Sequence, residues 1–95
     1  MELERYRFFQ KLTSLPFIEV IYLYGSRARN DHNPRSDIDL AVVCPKASRG
    51  DWQQVMEIIE EADTLLKIDC IRLDLISSQQ LKENIMKQGR IVYKK

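Results

Sequence analysis

The sequence predicts an α/β (α+β) fold: a small mixed β-sheet covered by helices on one face. Three observations carry this expectation. The 95 residues fall below the commonest domain size of about 100–150, so residues 1–95 are expected to form a single domain. Segments with apolar residues at helical spacing alternate with β-branched and aromatic runs, and consecutive strands joined by helices imply a sheet with helices packed on it. The composition, 44% hydrophobic and 31% charged, is that of a folded globular chain rather than a disordered, collagen-like or coiled-coil one.

Leu3, Tyr6, Phe9 and Leu12 recur at helical spacing over residues 3–14. Pro16 ends that helix because the residue before a proline is pushed out of the α region. The run FIEVIYLY, residues 17–24, is β-branched and aromatic and stops at Gly25, which predicts a mostly buried strand. Residues 26–36 are polar, with Asn30, Asn33 and Pro34 as turn formers, and leave room only for a brief helix. DIDLAVV, residues 37–43, is the second strand, stopped by Pro45. Trp52, Val55, Met56 and Ile59 stand at i, i+3, i+4 and i+7 within residues 51–62, with Asp51 placed to cap the helix they define. A third strand is expected within residues 66–76, LKIDCIRLDLI, followed by a helix capped by Ser77 or Ser78 and ending near Gly89. A short strand at 91–93 completes the order αβ(α)βαβαβ.

A net charge of +1 gives the whole molecule little attraction for nucleic acid or an anionic membrane, so any phosphate binding must come from a local site. No apolar run approaches the roughly 20 residues needed to span a bilayer. The opening MELERYRFFQ mixes charges where a signal peptide would be apolar, so a cytoplasmic location is expected. Cys44 and Cys70 each lie inside an apolar segment and read as reduced core residues. With His32 as the sole imidazole they do not suggest a zinc site.

Three features stand apart from ordinary folding requirements: Gly25-Ser26 after the first strand, Asp37 and Asp39 opening the second, and Asp69 inside the third. Carboxylates in or beside apolar strands need partners, because aspartate disfavours strands and ionised groups disfavour burial. Alternation points Asp37 and Asp39 to one face, with origins about 6.6 Å apart. Oxygen ligands without histidine or thiolate favour Mg²⁺ or Mn²⁺ arriving with a nucleotide. With Asp69 on a neighbouring strand, the site could hold two ions about 3.5–4 Å apart, one activating a hydroxyl and one neutralising a triphosphate. Gly25 lacks a Cβ and lets backbone approach phosphate, Ser26 and the amides after it can donate to phosphate oxygens, and Arg27 and Arg29 are near enough to add charge. Each feature alone has a plainer reading: a strand-end turn for Gly25-Ser26, a polar loop rim for the aspartates, surface ion pairs for the arginines.

Taken together, YGSRARNDHNPRSDIDLAVV resembles the signature of the nucleotidyltransferase superfamily of DNA polymerase β: Gly-Ser, a short loop, then Asp-x-Asp on the next strand. Its brevity and the GSRAR and SDIDL wording most resemble the minimal nucleotidyltransferases, or MNT proteins, often encoded beside a HEPN-domain partner as a toxin–antitoxin pair. The resemblance spans nearly the whole chain. It implies a polymerase β-like fold in which Gly25 and Ser26 hold the nucleotide phosphates, Asp37 and Asp39 ligate both metals, and a later strand supplies a third carboxylate. Asp69 and Asp74 are the candidates; an odd separation puts them on opposite faces of a regular strand. Asp69 is chosen because it lies inside the apolar run, and Asp74 is expected to be structural or at the rim. Ser36 matches the family's serine before the Asp pair, where it either binds phosphate or caps the turn. The family commonly has glycine where Asn30 stands, a position asparagine tolerates.

The resemblance implies Mg²⁺-dependent transfer of a nucleoside monophosphate, AMP from ATP, to a hydroxyl acceptor with release of pyrophosphate. The implied acceptor is a tyrosine of a HEPN-type partner protein, which makes this chain an antitoxin. A partner or a second copy, as a hetero- or homo-oligomer, is expected to complete so small a site. The competing reading is an antitoxin that neutralises by stoichiometric binding alone. The basic tail, Lys87, Arg90, Lys94 and Lys95, reads as a solvated face, and nucleic acid is not an expected partner.

Overall fold

A computed structural model describes residues 2–29 and 33–95. The chain runs through α1 (Arg7–Ser14), β1 (Val20–Tyr24), β2 (Ile38–Val43), α2 (Arg49–Glu60), β3 (Ile68–Arg72), α3 (Gln79–Gln88) and β4 (Arg90–Lys94), with 3₁₀ turns at Leu3–Arg5, Gly25–Arg27 and Leu73–Leu75. The strands lie in the order β3-β2-β1-β4. β1 is antiparallel to both β2 and β4, whereas β2 and β3 are parallel and joined through α2. The sheet is therefore mixed, and the brief helix expected after the first strand is the single turn Gly25–Arg27.

Alternation along the strands divides the apolar residues between two faces. Leu23 pairs with Leu40 and Ile21 with Val42 on one face, while Tyr22 pairs with Ala41 on the other. The first face joins Phe8, Phe9 and Leu12 of α1 and Val55 of α2 in the main core, with Trp52, Met56 and Ile59 half-buried against it. Each fully buried aliphatic or aromatic side chain contributes about 1.5–3 kcal/mol. The second face carries a smaller cluster of Tyr22, Ala41, Leu73 and Ile85. The expected helical cover on one face is thus made by α1 and α2, and α3 adds Ile85 to the opposite face. That face is covered only in part, and it bears the aspartates.

Several boundaries differ from the sequence expectation for physical reasons. The first helical segment is broken at Tyr6, whose backbone is extended, so α1 begins at Arg7. Asp63 caps it from 56 positions away: its carboxylate accepts the Arg7 and Phe8 N–H groups at 3.1 Å each. The N-cap of α2 is Ser48, not Asp51; Ser48 Oγ accepts the Asp51 N–H and the Asp51 carboxylate accepts the Ser48 N–H, a reciprocal capping box. Ser78 caps α3, which ends at Gly89 as expected. Cys44 and Cys70 are free thiols packed in the main core, and burial pushes them up to about 11 and about 12 respectively. Asn30 and His32 lie outside the described residues.

Candidate active site

Two strand registers set the site. Tyr24 of β1 stands opposite Asp39 of β2, and Asp39 stands opposite Asp69 of β3. Paired residues share a face, so the three side chains form a row across the sheet on its partly covered side. Asp37, two positions before Asp39, falls on the same face by alternation and is exposed.

The electrostatics of the row follow from this geometry. Partial burial, then the charges of Asp69 and Asp37, hold the Asp39 carboxyl above its ordinary value, and a hydrogen bond with Asp69 adds to the effect while Lys67 opposes it. Burial followed by the charges of Asp39 and Asp69 also raises the Tyr24 phenol. Lys67 Nζ lies 3.8 Å from Asp69, with the lysine side chain largely in solvent and the carboxylate about half so, a pairing too screened to neutralise the row. The surplus negative charge calls for a cation. Among the described residues no three His, Cys, Asp or Glu side chains are grouped as a cage that could hold a metal ion. Mg²⁺ needs no such cage; one or two carboxylates, with substrate phosphates and water, are its ordinary ligands, and Asp39 with Asp69 fits that mode.

Gly25 follows the row directly. Its φ of +75° is in the left-handed region, and a Cβ there would overlap the Asp39 carboxylate. Glycine is therefore required both by backbone conformation and by the closeness of this turn to Asp39. Ser26 follows in the same turn, half-buried. Arg29 lines a pocket with Tyr24, Gly25 and residues of α3. Ser36 does cap a turn: its Oγ accepts the Asn33 N–H at 3.0 Å while its own N–H donates to the Asn33 carbonyl at 3.0 Å.

Arg27 has a place that its sequence context did not indicate. It is 6% exposed. Its Nε donates to the carbonyls of Ser36 at 3.2 Å and Asp37 at 3.3 Å, and its Nη2 to those of Ser36 at 2.8 Å and Pro34 at 3.4 Å. These bonds make a brace that ties the Gly25–Arg27 turn to the entrance of β2, just where Asp37 leads to Asp39. Asp74 is structural, as expected: it accepts the Cys44 N–H at 2.9 Å and pairs with Arg72 at 3.0 Å, with only 13% of its side chain exposed. Arg72 Nη2 in turn donates to the carbonyls of Cys44 and Ala47.

A glycine turn thus lies against an aspartate row on a mixed sheet, and comparison with known proteins places this fold in a family. A family model for polymerase beta nucleotidyltransferases matches residues 8–95, and the chain belongs to that family. No curated protein sequence matches it. Among solved structures, a toxin–antitoxin crystal structure with AMP-PNP superposes at a TM-score of 0.70 and 23% identity, over 93% of this chain and 72% of that one. A mutant of the toxin–antitoxin MntA-HpeT gives 0.70 and 19%, over 100% and 75%. A protein of Sulfolobus solfataricus assigned as a nucleotidyltransferase gives 0.61 and 22%, over 99% and 79%. At these identities the likeness is one of fold.

Proposed function

We propose that this protein transfers AMP from ATP to a hydroxyl acceptor with release of pyrophosphate, and that the acceptor is a tyrosine of a HEPN-type toxin. The observation that carries the chemistry is the register Asp39–Asp69 beside Gly25. Asp39 and Asp69, with Asp37 at the rim, would hold Mg²⁺ together with the triphosphate. The metal supplies charge neutralisation on the triphosphate and activation of the attacking hydroxyl. Gly25 keeps the turn open beside these carboxylates, Ser26 donates to phosphate oxygens, and Arg29 adds positive charge. The hydroxyl oxygen forms its bond to the α-phosphorus in line as the bond to pyrophosphate breaks, and the hydroxyl proton is released. Arg27 and Ser36 position the strand entrance.

The toxin–antitoxin assignment draws support from the family and from the fold shared with the MntA-HpeT and AMP-PNP structures. The open side of the sheet leaves room for an acceptor brought by a partner or a second copy. No helix among the described residues is long and apolar enough to cross a membrane, and we place the reaction in the cytoplasm. The test is incubation with Mg²⁺, each α-labelled nucleoside triphosphate in turn, and the protein encoded beside this one, with Asp39→Asn as control. Label from ATP on a partner tyrosine with the wild type only is the expected result. Tight complex formation without label, and protection from the toxin that survives Asp39→Asn, would replace transfer by stoichiometric neutralisation.

A further inference from the structure

The aspartate row does not end at Gly25. Tyr24 and Gly25 also form one side of a pocket whose other side is α3, lined there by Leu81, Asn84, Ile85 and Gln88. Leu81 and Ile85 are four residues apart, as are Asn84 and Gln88, so α3 offers the pocket an apolar stripe and, beside it, two side-chain amides one turn apart. Leu81 is 45% exposed, a large apolar residue left open to solvent at this rim. Asn84 and Gln88 are exposed as well, and among the described residues neither amide has a partner within the chain.

Apolar surface from Leu81 and an aromatic residue, Tyr24, with side-chain amides beside it, is the chemistry that receives a nucleobase. A side-chain amide presents a donor and an acceptor side by side, which complements the N6 amino group and N7 of adenine. Guanine's corresponding edge shows two acceptors and is matched by a cation instead. We propose that Asn84 and Gln88 are base-selecting residues that favour adenine, the base lying against Tyr24 and Leu81 while its phosphates reach Gly25. This rests on the nucleotidyltransferase reading and adds the residues that choose the nucleotide.

The experiment is calorimetric titration of the full chain, with Mg²⁺ present, by non-hydrolysable analogues of ATP, GTP, CTP and UTP and by inorganic tripolyphosphate. Asn84→Leu and Gln88→Met keep side-chain shape and remove the amides at exposed helix positions, and thermal unfolding checks that both remain folded. The wild type is expected to favour the ATP analogue by about tenfold or more, each variant to lose about tenfold for that analogue alone, and tripolyphosphate binding to stay unchanged. Undiminished preference for the ATP analogue in both variants would overturn the base subsite and leave nucleotide binding at the aspartates intact. A wild-type preference for the GTP analogue would also overturn it, moving base selection to Arg29. Failure of the wild type to bind any of the probes would overturn both this subsite and the transfer reading beneath it.

Discussion

Asp39 and Asp69 face one another in register across the parallel strands β2 and β3. Like charges directly opposed in a sheet destabilise it, so this pair opposes the fold that displays it. The Asp39 carboxyl is held above its ordinary value by burial and by the charges of Asp69 and Asp37.

A stability measurement exposes that conflict. The folded state binds the Asp39 proton more tightly than the unfolded chain, so stability falls as pH rises from the ordinary value of 3.8 through the raised folded value, above which the loss is complete. Asp39→Asn should therefore stabilise the metal-free protein at neutral pH by about 0.2–1 kcal/mol, and the gain should vanish at pH below 3.8. Urea unfolding in a chelator reads both. Mg²⁺ should then raise the wild-type midpoint more than that of the variant, and a variant less stable than wild type at neutral pH would contradict the reading.

The two carboxylates of the third-strand region separate by opposite responses. Asp74→Ala removes the partner of a nearly buried Arg72, whose side chain is 12% exposed, and should cost about 3–5 kcal/mol, toward the lower end because Arg72 keeps two carbonyl acceptors. The fraction that stays folded should retain transfer. Asp69→Asn should change stability by less than about 1 kcal/mol, as the loss of a half-exposed, solvent-screened carboxylate does, and abolish transfer. Denaturation curves beside a single-turnover assay distinguish the two.

Arg27 offers a test of brace against phosphate contact. Arg27→Ala leaves the part-buried carbonyls of Pro34, Ser36 and Asp37 without a charged donor and should destabilise by about 1.5–3 kcal/mol. Arg27→Lys should recover only part of this, since an ammonium lacks the planar fork. A direct phosphate contact would behave otherwise, lowering nucleotide affinity while stability stayed unchanged.

Gly25→Ala combines a left-handed backbone penalty of about 1–2 kcal/mol with overlap on the Asp39 carboxylate. Lower thermal stability together with lost transfer is the expected outcome. A fully stable, fully active variant would show that the turn can move away from Asp39.

Where periodicity and chemistry coincide, the sequence was readable. β-branched runs marked the strands, and Asp69 stands inside the third of them, in register with Asp39; Asp74 lies beyond the strand, in the 3₁₀ turn Leu73–Leu75, so alternation does not govern it, and there it holds Arg72 and the Cys44 N–H. Contacts made at a distance left no local trace. Arg27 stands in a polar loop, where an arginine reads as a surface or ligand group, and its burial depends on carbonyls up to ten positions later. The α1 cap is supplied by Asp63, so Tyr6 fitted the helical spacing of a helix that begins only after it. The cap residues identified α3 as a helix, but the side of the sheet that receives Ile85 is set by the crossing of the chain, which cap signals do not encode.

The placing of β4 against β1 governs the order in which the molecule can assemble. β1 gains β2 early in synthesis, but its other edge stays open until residues 90–94 emerge to pair with it. Other closures also come late: Lys95 Nζ reaches the Pro16 carbonyl across 79 positions of chain. Such non-local contacts give slow folding, and during that interval VIYLY presents an apolar strand edge on which another nascent chain could pair. Until β4 arrives, closure of the sheet competes with aggregation at that edge.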